Sequence, residues 1–329
     1  MKEINRQARV VVIGGGTGVP AILKGIKDLP IHITSIITVA DDGGSTGELR
    51  KAIDMPAPGD IRNVLSAMAN IDTNLKELFQ YRFNGKNGLS GHSLGNLILA
   101  AMRDITGDFA EAIERLGQIF QVNGQVYPVV NASVTLHAEM ADGLIVTGES
   151  EIVKVENNKI ERVFVTPQHV EAYPKAVEAI EEADLVLIAP GSLYTSIMPN
   201  IVIPGIKQAL LNTQAEITYI ANIMTQRGET DHYSVTDHIQ AIHRHVGANI
   251  VNSVIVHNEA IDKSMTKHYE AEGSEPVIYD KERLAKYGIH VIEENMLANS
   301  SLPIRHSEDK IQAIMIDLLE GVGSYQSNY

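Results

Sequence analysis

A chain of 329 residues with 27 basic and 41 acidic side chains carries a formal net charge of −14. That balance excludes long-range attraction to a nucleic-acid backbone or an anionic membrane, so a bound anion must be held by a local site. The absence of cysteine excludes disulfides, thiolate metal ligands and a cysteine nucleophile.

The N-terminal MKEINRQARV is polar, without the apolar core of a signal peptide. No apolar run approaches the roughly 18–20 residues that cross a bilayer. The expectation is a cytoplasmic protein with no membrane insertion and no nucleic-acid partner.

Short apolar runs alternate with amphipathic segments along the chain. VVVIG (10–14) reads as a buried strand, followed by a helix from about Val19 to Lys27. ITSIITVA (33–40), rich in β-branched residues, reads as a second strand. Helical patterns follow at 61–70, 74–82, 94–105 and 109–120. DLVLIAP (184–190), ITYIAN (217–222) and NSVIVHN (252–258) are further strands, each before a helical pattern, and a last helix is expected over 307–319. Strands separated by helices predict an α/β protein with a doubly wound, mostly parallel, Rossmann-like sheet. Between 126 and 166 the pattern alternates instead, with turn signals at Asp142-Gly143 and Asn157-Asn158. This predicts an antiparallel β-hairpin excursion within a single α/β domain spanning 1–329.

Two glycine-rich loops follow the first two strands. In GGGTG (14–18), Gly15 and Gly16 let the backbone approach a ligand and Thr17 adds a hydroxyl. The helix start beyond supplies N–H groups for an anion. The dinucleotide pattern G-x-G-x-x-G is not met, because its last position is Val19, and no Walker-type lysine follows. In TVADDGGSTGELRKAI, the residues Gly43, Gly44, Ser45 and Thr46 form a second candidate cradle. Asp41 and Asp42 leave the strand on opposite faces, so at most one meets a shared ligand, as a Mg²⁺ ligand or a partner for a ribose hydroxyl. Arg50 is expected to fork onto a phosphate. The competing readings are a tight turn needed for packing at the first loop and a solvated N-cap, Asp before glycines, at the second.

Three more junctions repeat the theme. In PAPGDIRNVLSAM (56–68), Asp60 is placed as an N-cap, with Arg62 and Asn63 in the first helical turn. A cation there opposes the helix dipole, which points to a bound anion. GHSLG (91–95) matches the G-x-S-x-G nucleophile motif, but polar RFNGKNGLS precedes it where that motif needs a strand. His92, Ser93 and Asn96 are therefore read as donors at another helix start. Gly191 and Ser192, in PGSLYTSIMPN, follow a strand in the same manner, as does NIMTQRGETDHYS (222–234). The histidines at 232, 238, 243 and 245 lack the spacing of a zinc site.

GGGTGVPAILKGI, TVADDGGSTGELR, PAPGDIRN, GHSLGNL, PGSLYTSI and NIMTQRGET together resemble the YvcK/CofD-like family, on its YvcK or gluconeogenesis-factor side, over nearly the whole chain. The resemblance implies a CofD-like fold and a homodimeric cytoplasmic binder of UDP-sugars such as UDP-N-acetylglucosamine. It also implies roles in growth on gluconeogenic carbon sources, cell shape and cell-wall synthesis, with partners in that regulation. The related transferases move a phospholactyl group onto a deazaflavin precursor with Mg²⁺, so the alternative implied is a Mg²⁺-dependent phosphotransferase with Asp42 on the metal. GGSTG and Arg50 are particular to the YvcK side. Two further residues are similar to that branch. The resemblance implies that Tyr269, in KHYEAEG, stacks on uracil and that Arg305, in PIRHSEDK, reaches the diphosphate.

Overall fold

A computed structural model describes residues 7–85, 88–155, 158–298 and 303–325. The chain opens with β1 (Arg9–Gly14), α1 (Gly18–Ile26) and β2 (His32–Ile37), then five helices: α2 (Gly44–Ile53), α3 (Gly59–Met68), α4 (Thr73–Gln80), α5 (Leu94–Thr106) and α6 (Phe109–Ile119). A central stretch holds β3 (Gln125–Pro128), β4 (Thr135–Met140), β5 (Ile145–Thr147), α7 (Glu149–Ile152), β6 (Ile160–Thr166) and α8 (Pro174–Glu181). Then come β7 (Leu185–Ile188), a π-helical turn (Leu193–Ile197), α9 (Met198–Ile201), α10 (Pro204–Asn212), β8 (Glu216–Ile220) and α11 (Val235–Val246). The chain closes with β9 (Ser253–His257), α12 (Lys263–Ala271), α13 (Lys281–Lys286), β10 (His290–Glu294) and α14 (Glu308–Tyr325).

Seven parallel strands form the main sheet in the order β10-β9-β8-β7-β1-β2-β3. The inner strands are continuous apolar runs because helices cover both faces: Val10, Val12, Ile13 and the whole of β7 are fully buried. The edge strand β10 is only half-buried, and its HVIEE lacks the apolar run by which the inner strands are recognised. The order reverses between β1 and β7, which makes their carboxyl ends the crevice at which a doubly wound sheet binds ligands.

Three differences from the sequence reading have plain causes. β3 pairs in parallel with β2, so Val126 belongs to the main sheet, and the antiparallel sheet β5-β4-β6 starts only at Thr135. Alternation in VYPVVN marks a half-buried strand in either setting; only the partner decides. GGSTG is not a free loop: Gly44 starts α2, and Gly47 bonds back to the Gly43 carbonyl. α14 runs on to Tyr325, beyond the expected end at 319. The Asp142-Gly143 turn joins β4 to β5 with Gly143 at φ +86°, whereas Asn157 lies outside the described residues.

The small sheet is fastened to the main body by three side chains. Asp42 Oδ1 accepts from the Ser150 N–H (2.9 Å), Arg50 donates to the Val134 carbonyl, and His245 Nε2 accepts from the Val163 N–H (3.0 Å).

Candidate functional site

The sequence-predicted residues fall into two neighbouring groups. The first surrounds Arg62, which is 7 % exposed near the start of α3. Its Nη1 donates to Ser93 Oγ (2.5 Å) and Asn96 Oδ1 (3.3 Å), and its Nη2 donates to Asn63 Oδ1 (2.8 Å). Asn96 Nδ2 donates to Ser45 Oγ (3.3 Å), which also meets His92 Nδ1 (2.9 Å), while His92 Nε2 faces Glu48 (3.1 Å). Ser93 caps α5 by accepting from Asn96 N–H. Its hydroxyl is bound to a guanidinium and not to a base, which disposes of the nucleophile reading of GHSLG. Arg62 has no ion pair among the described residues, its Nε is buried without a partner, and burial together with the nearby Arg82 holds its pKa below the usual arginine value.

Asp60 does not cap α3, which begins at Gly59 after Pro58. Its Oδ2 instead crosses the crevice and accepts from the Gly16 N–H (2.7 Å). Burial pushes its carboxyl up to about 6, against the opposing pull of that hydrogen bond. Gly15 is glycine for packing: a Cβ there would lie 2.5 Å from Thr38 Cγ2 and 2.8 Å from Asp60 Oδ2.

Two side chains of the second loop are engaged within the protein. Arg50 does not reach towards a phosphate; it donates to the carbonyls of Ala40 (3.1 Å), Asp41 (2.8 Å) and Val134, three partners that occupy its fork. Asp42, the acid expected to hold Mg²⁺, faces the small sheet, with Oδ1 on Ser150 N–H and Oδ2 against Gly148. Its donor set does not fit a resident metal, and among the described residues no three His, Asp or Glu side chains are grouped to hold one. Asp41 accepts from Gly43 N–H (2.8 Å) and its other oxygen lies beside Gly59 and Thr46.

The second group lines a cleft of about 470 Å³ at the carboxyl ends of β1, β7 and β8. Thr17, Gly191, Tyr269 and Arg305 all face it, beside Asn222 and Arg227. α1 begins at Gly18 with no side chain capping its first N–H groups. Tyr269 accepts at its hydroxyl from the Ile304 N–H (2.7 Å), which fixes the ring beside the segment carrying Arg305. Gly43, Gly44, Ser45, Thr46, His92, Ser93 and Asn96 do not line this cleft; they lead away from it through Asp60 and Arg62.

Two residues that hold the site, and a buried acid near it, carry no individual signal in the sequence. Asn222 clamps the Gly191 backbone, accepting from its N–H (3.0 Å) and donating to its carbonyl (2.7 Å). Glu229, 5 % exposed, accepts from Ser192 Oγ, Tyr194 N–H (3.1 Å) and Thr195 Oγ (3.2 Å). The donors after β7 are thus taken by an internal carboxylate, and Ser192 is not free for a ligand. Both residues belong to NIMTQRGET, so the stretch was visible although its individual roles were not. Glu149, at the start of α7, carried no sequence signal.

Burial pushes the Glu149 carboxyl up to about 9, with Asp41, Asp60, Glu229 and Asp42 adding repulsion. Native protein then keeps a proton that the unfolded chain loses above the ordinary 4.5, so stability falls as pH rises from there towards about 9. Glu149→Gln, which cannot ionise, is expected to raise Tm at pH 8 and to change it little at pH 4.5. Thermal melts monitored by circular dichroism at both pH values check this; an equal shift at both would contradict it.

Residues 10–297 match the family described as 2-phospho-L-lactate transferase CofD. The chain belongs to the CofD family. Within it, the chain lies on the YvcK side: it is 45 % identical over 317 residues to the gluconeogenesis factor of Bacillus subtilis, covering 96 % of this chain and 100 % of that one. It is 47 % identical over 312 residues to the gluconeogenesis factor of Halalkalibacterium halodurans, covering 95 % and 97 %. A crystal structure of a UPF0052 family protein from Bacillus halodurans superposes with a TM-score of 0.91 at 47 % identity, covering 94 % of this chain and 99 % of that one. Among the described residues no helix is long and apolar enough to cross a membrane.

Proposed function

We propose that this gluconeogenesis-factor relative is a cytoplasmic, homodimeric binder of a UDP-sugar such as UDP-N-acetylglucosamine, acting in growth on gluconeogenic carbon sources, cell shape and cell-wall synthesis without consuming its ligand. The observation that carries the binding reading is that Tyr269 and Arg305 line the same cleft as the first glycine loop and Gly191. The aromatic ring offers a face for a uracil, the guanidinium offers a fork for phosphate, and the uncapped start of α1 offers N–H groups and the positive end of a dipole. A diphosphate between Arg305 and α1 satisfies the last two without requiring a metal, and the uracil takes the first. In the Mg²⁺-dependent phosphotransferase reading, Asp42 has to reach the metal while its Oδ1 accepts from the Ser150 N–H.

Titration calorimetry is expected to show saturable binding of UDP-N-acetylglucosamine, with the sugar nucleotide recovered intact by chromatography. Tyr269→Ala and Arg305→Ala should each weaken binding tenfold or more, about 1.4 kcal/mol. No heat with any UDP-sugar would refute the proposal. Turnover of a deazaflavin acceptor would restore the transferase reading.

A further inference from the structure

We propose a second anion site beside the nucleotide cleft, taking a compact, multiply charged small molecule of the phosphate or phosphate-ester class. A cavity of about 620 Å³ lies between α1, α3, α4 and the start of α14, and Thr17 and Arg305 line both it and the nucleotide cleft. Lys24, Lys27 and Lys76 face it together with Arg305, in a chain whose net charge is −14.

These cations are short of counterions. Among the described residues Lys27, Lys76 and Arg305 form no ion pair, and Lys24 meets Glu308 only at 3.8 Å. Lys24 and Lys27 sit at the carboxyl end of α1, where they also answer the helix dipole. That account does not extend to Lys76, in the middle of α4, or to Arg305, in neither helix. Four positive groups from three separate segments converge on one concavity, and Asp28 and Glu308 are the acidic residues among those that line it.

Neutral donors complete the set. Asn63 accepts from Arg62 at Oδ1, its amide nitrogen has no partner among the described residues, and Asn63 and Thr17 both line the cavity. Asp28 and Glu308 would repel an extended polyanion such as RNA, and so would the overall charge, whereas a di- or triphosphate can seat among the lysines without reaching them both. Arg305 serves both cavities, so filling one changes the charge seen by the other. The site stands on its own cations; only this coupling rests on the UDP-sugar reading.

The probe is inorganic pyrophosphate, titrated calorimetrically into the intact protein with and without saturating UDP-N-acetylglucosamine. Saturable binding is expected in both conditions. Lys27→Glu/Lys76→Glu should lower pyrophosphate affinity at least tenfold, and the milder Lys76→Met about threefold, so that a folding defect in the double variant does not remove the readout. Lys154→Met, an exposed lysine that lines neither cavity, should leave it within twofold. Unchanged affinity in the lysine variants, or displacement of pyrophosphate one for one by the UDP-sugar, would overturn the second site. If the UDP-sugar does not bind at all, the functional proposal falls, while loss of pyrophosphate binding in the lysine variants still upholds the site.

Discussion

Gly18→Ala is expected to destabilise the protein by about 3 kcal/mol and to lower Tm by roughly 4 °C. A Cβ on Gly18 would stand 1.9 Å from the Pro190 carbonyl oxygen and 2.7 Å from its carbon. Both atoms belong to backbone, so no rotamer can relieve the clash, and β1 and β7 would have to part at their carboxyl ends. That is the point at which the strand order reverses, so ligand affinity at the cleft should fall with stability. The contrast is Gly44→Ala on the other glycine loop. Gly44 has nothing within 4 Å of its Cβ position, and only its φ of +42° opposes a side chain. The cost there is about 1 kcal/mol, from left-handed strain alone. Urea denaturation of the two variants separates the cases; comparable losses would mean that the close approach to Pro190 is not what Gly18 is for.

The two glycine loops looked alike in sequence and differ in physics. GGGTG brings two strand ends together and opens the cleft with an uncapped helix. GGSTG starts a helix whose Ser45 turns towards Asn96 and His92, away from that cleft. The inner strands were legible because VVVIG, DLVLIA and ITYIA are apolar runs of strand length, and burial on both faces leaves no room for polar alternation. β3 was misplaced and β10 escaped notice, because an edge strand is half-covered and its pattern does not say which neighbour it joins. Glycine, serine and threonine at the first turn of α2 argue against a helix, while burial of Ser45, Thr46 and Leu49 overrides that preference.

The candidate site was legible as a set of loops but not as a set of partners. Arg50 and Arg62 follow similar signals, yet Arg50 is consumed by three carbonyls and Arg62 keeps a buried Nε without a partner. Asp42 and Asp60 are both acids at strand or helix ends, yet one ties down the small sheet and the other crosses to Gly16. Which acceptor a donor meets is decided by elements far apart in the chain, and no local spacing encodes it. Tyr269 and Arg305 had no local signal and entered through family likeness; the fold puts them on one cleft with Thr17.

Glu229→Ala should be the most damaging single change on the β7 side of the cleft, costing about 2–4 kcal/mol and weakening UDP-sugar binding. Removing the carboxylate leaves Ser192 Oγ, Thr195 Oγ and the Tyr194 N–H without their shared acceptor in a buried position. The segment they hold begins at Gly191, which lines the cleft. Glu229→Gln keeps the shape and one acceptor, and the two hydroxyls can turn to accept from its amide, so both stability and binding should stay close to wild type. The two variants also differ in pH dependence. Burial raises the Glu229 carboxyl above its ordinary value, although the donors around it pull the other way. The native state therefore retains a proton at pH values where the unfolded chain has lost it, and wild-type stability declines as pH climbs above the ordinary 4.5. Glutamine carries no such penalty, so Glu229→Gln should gain on wild type between pH 5 and pH 8, measured as the difference in urea midpoint. A constant difference across that range would show that the carboxylate is ionised as readily inside the fold as outside it. An alanine variant as stable as the glutamine variant would show that the β7 loop is held by something other than Glu229.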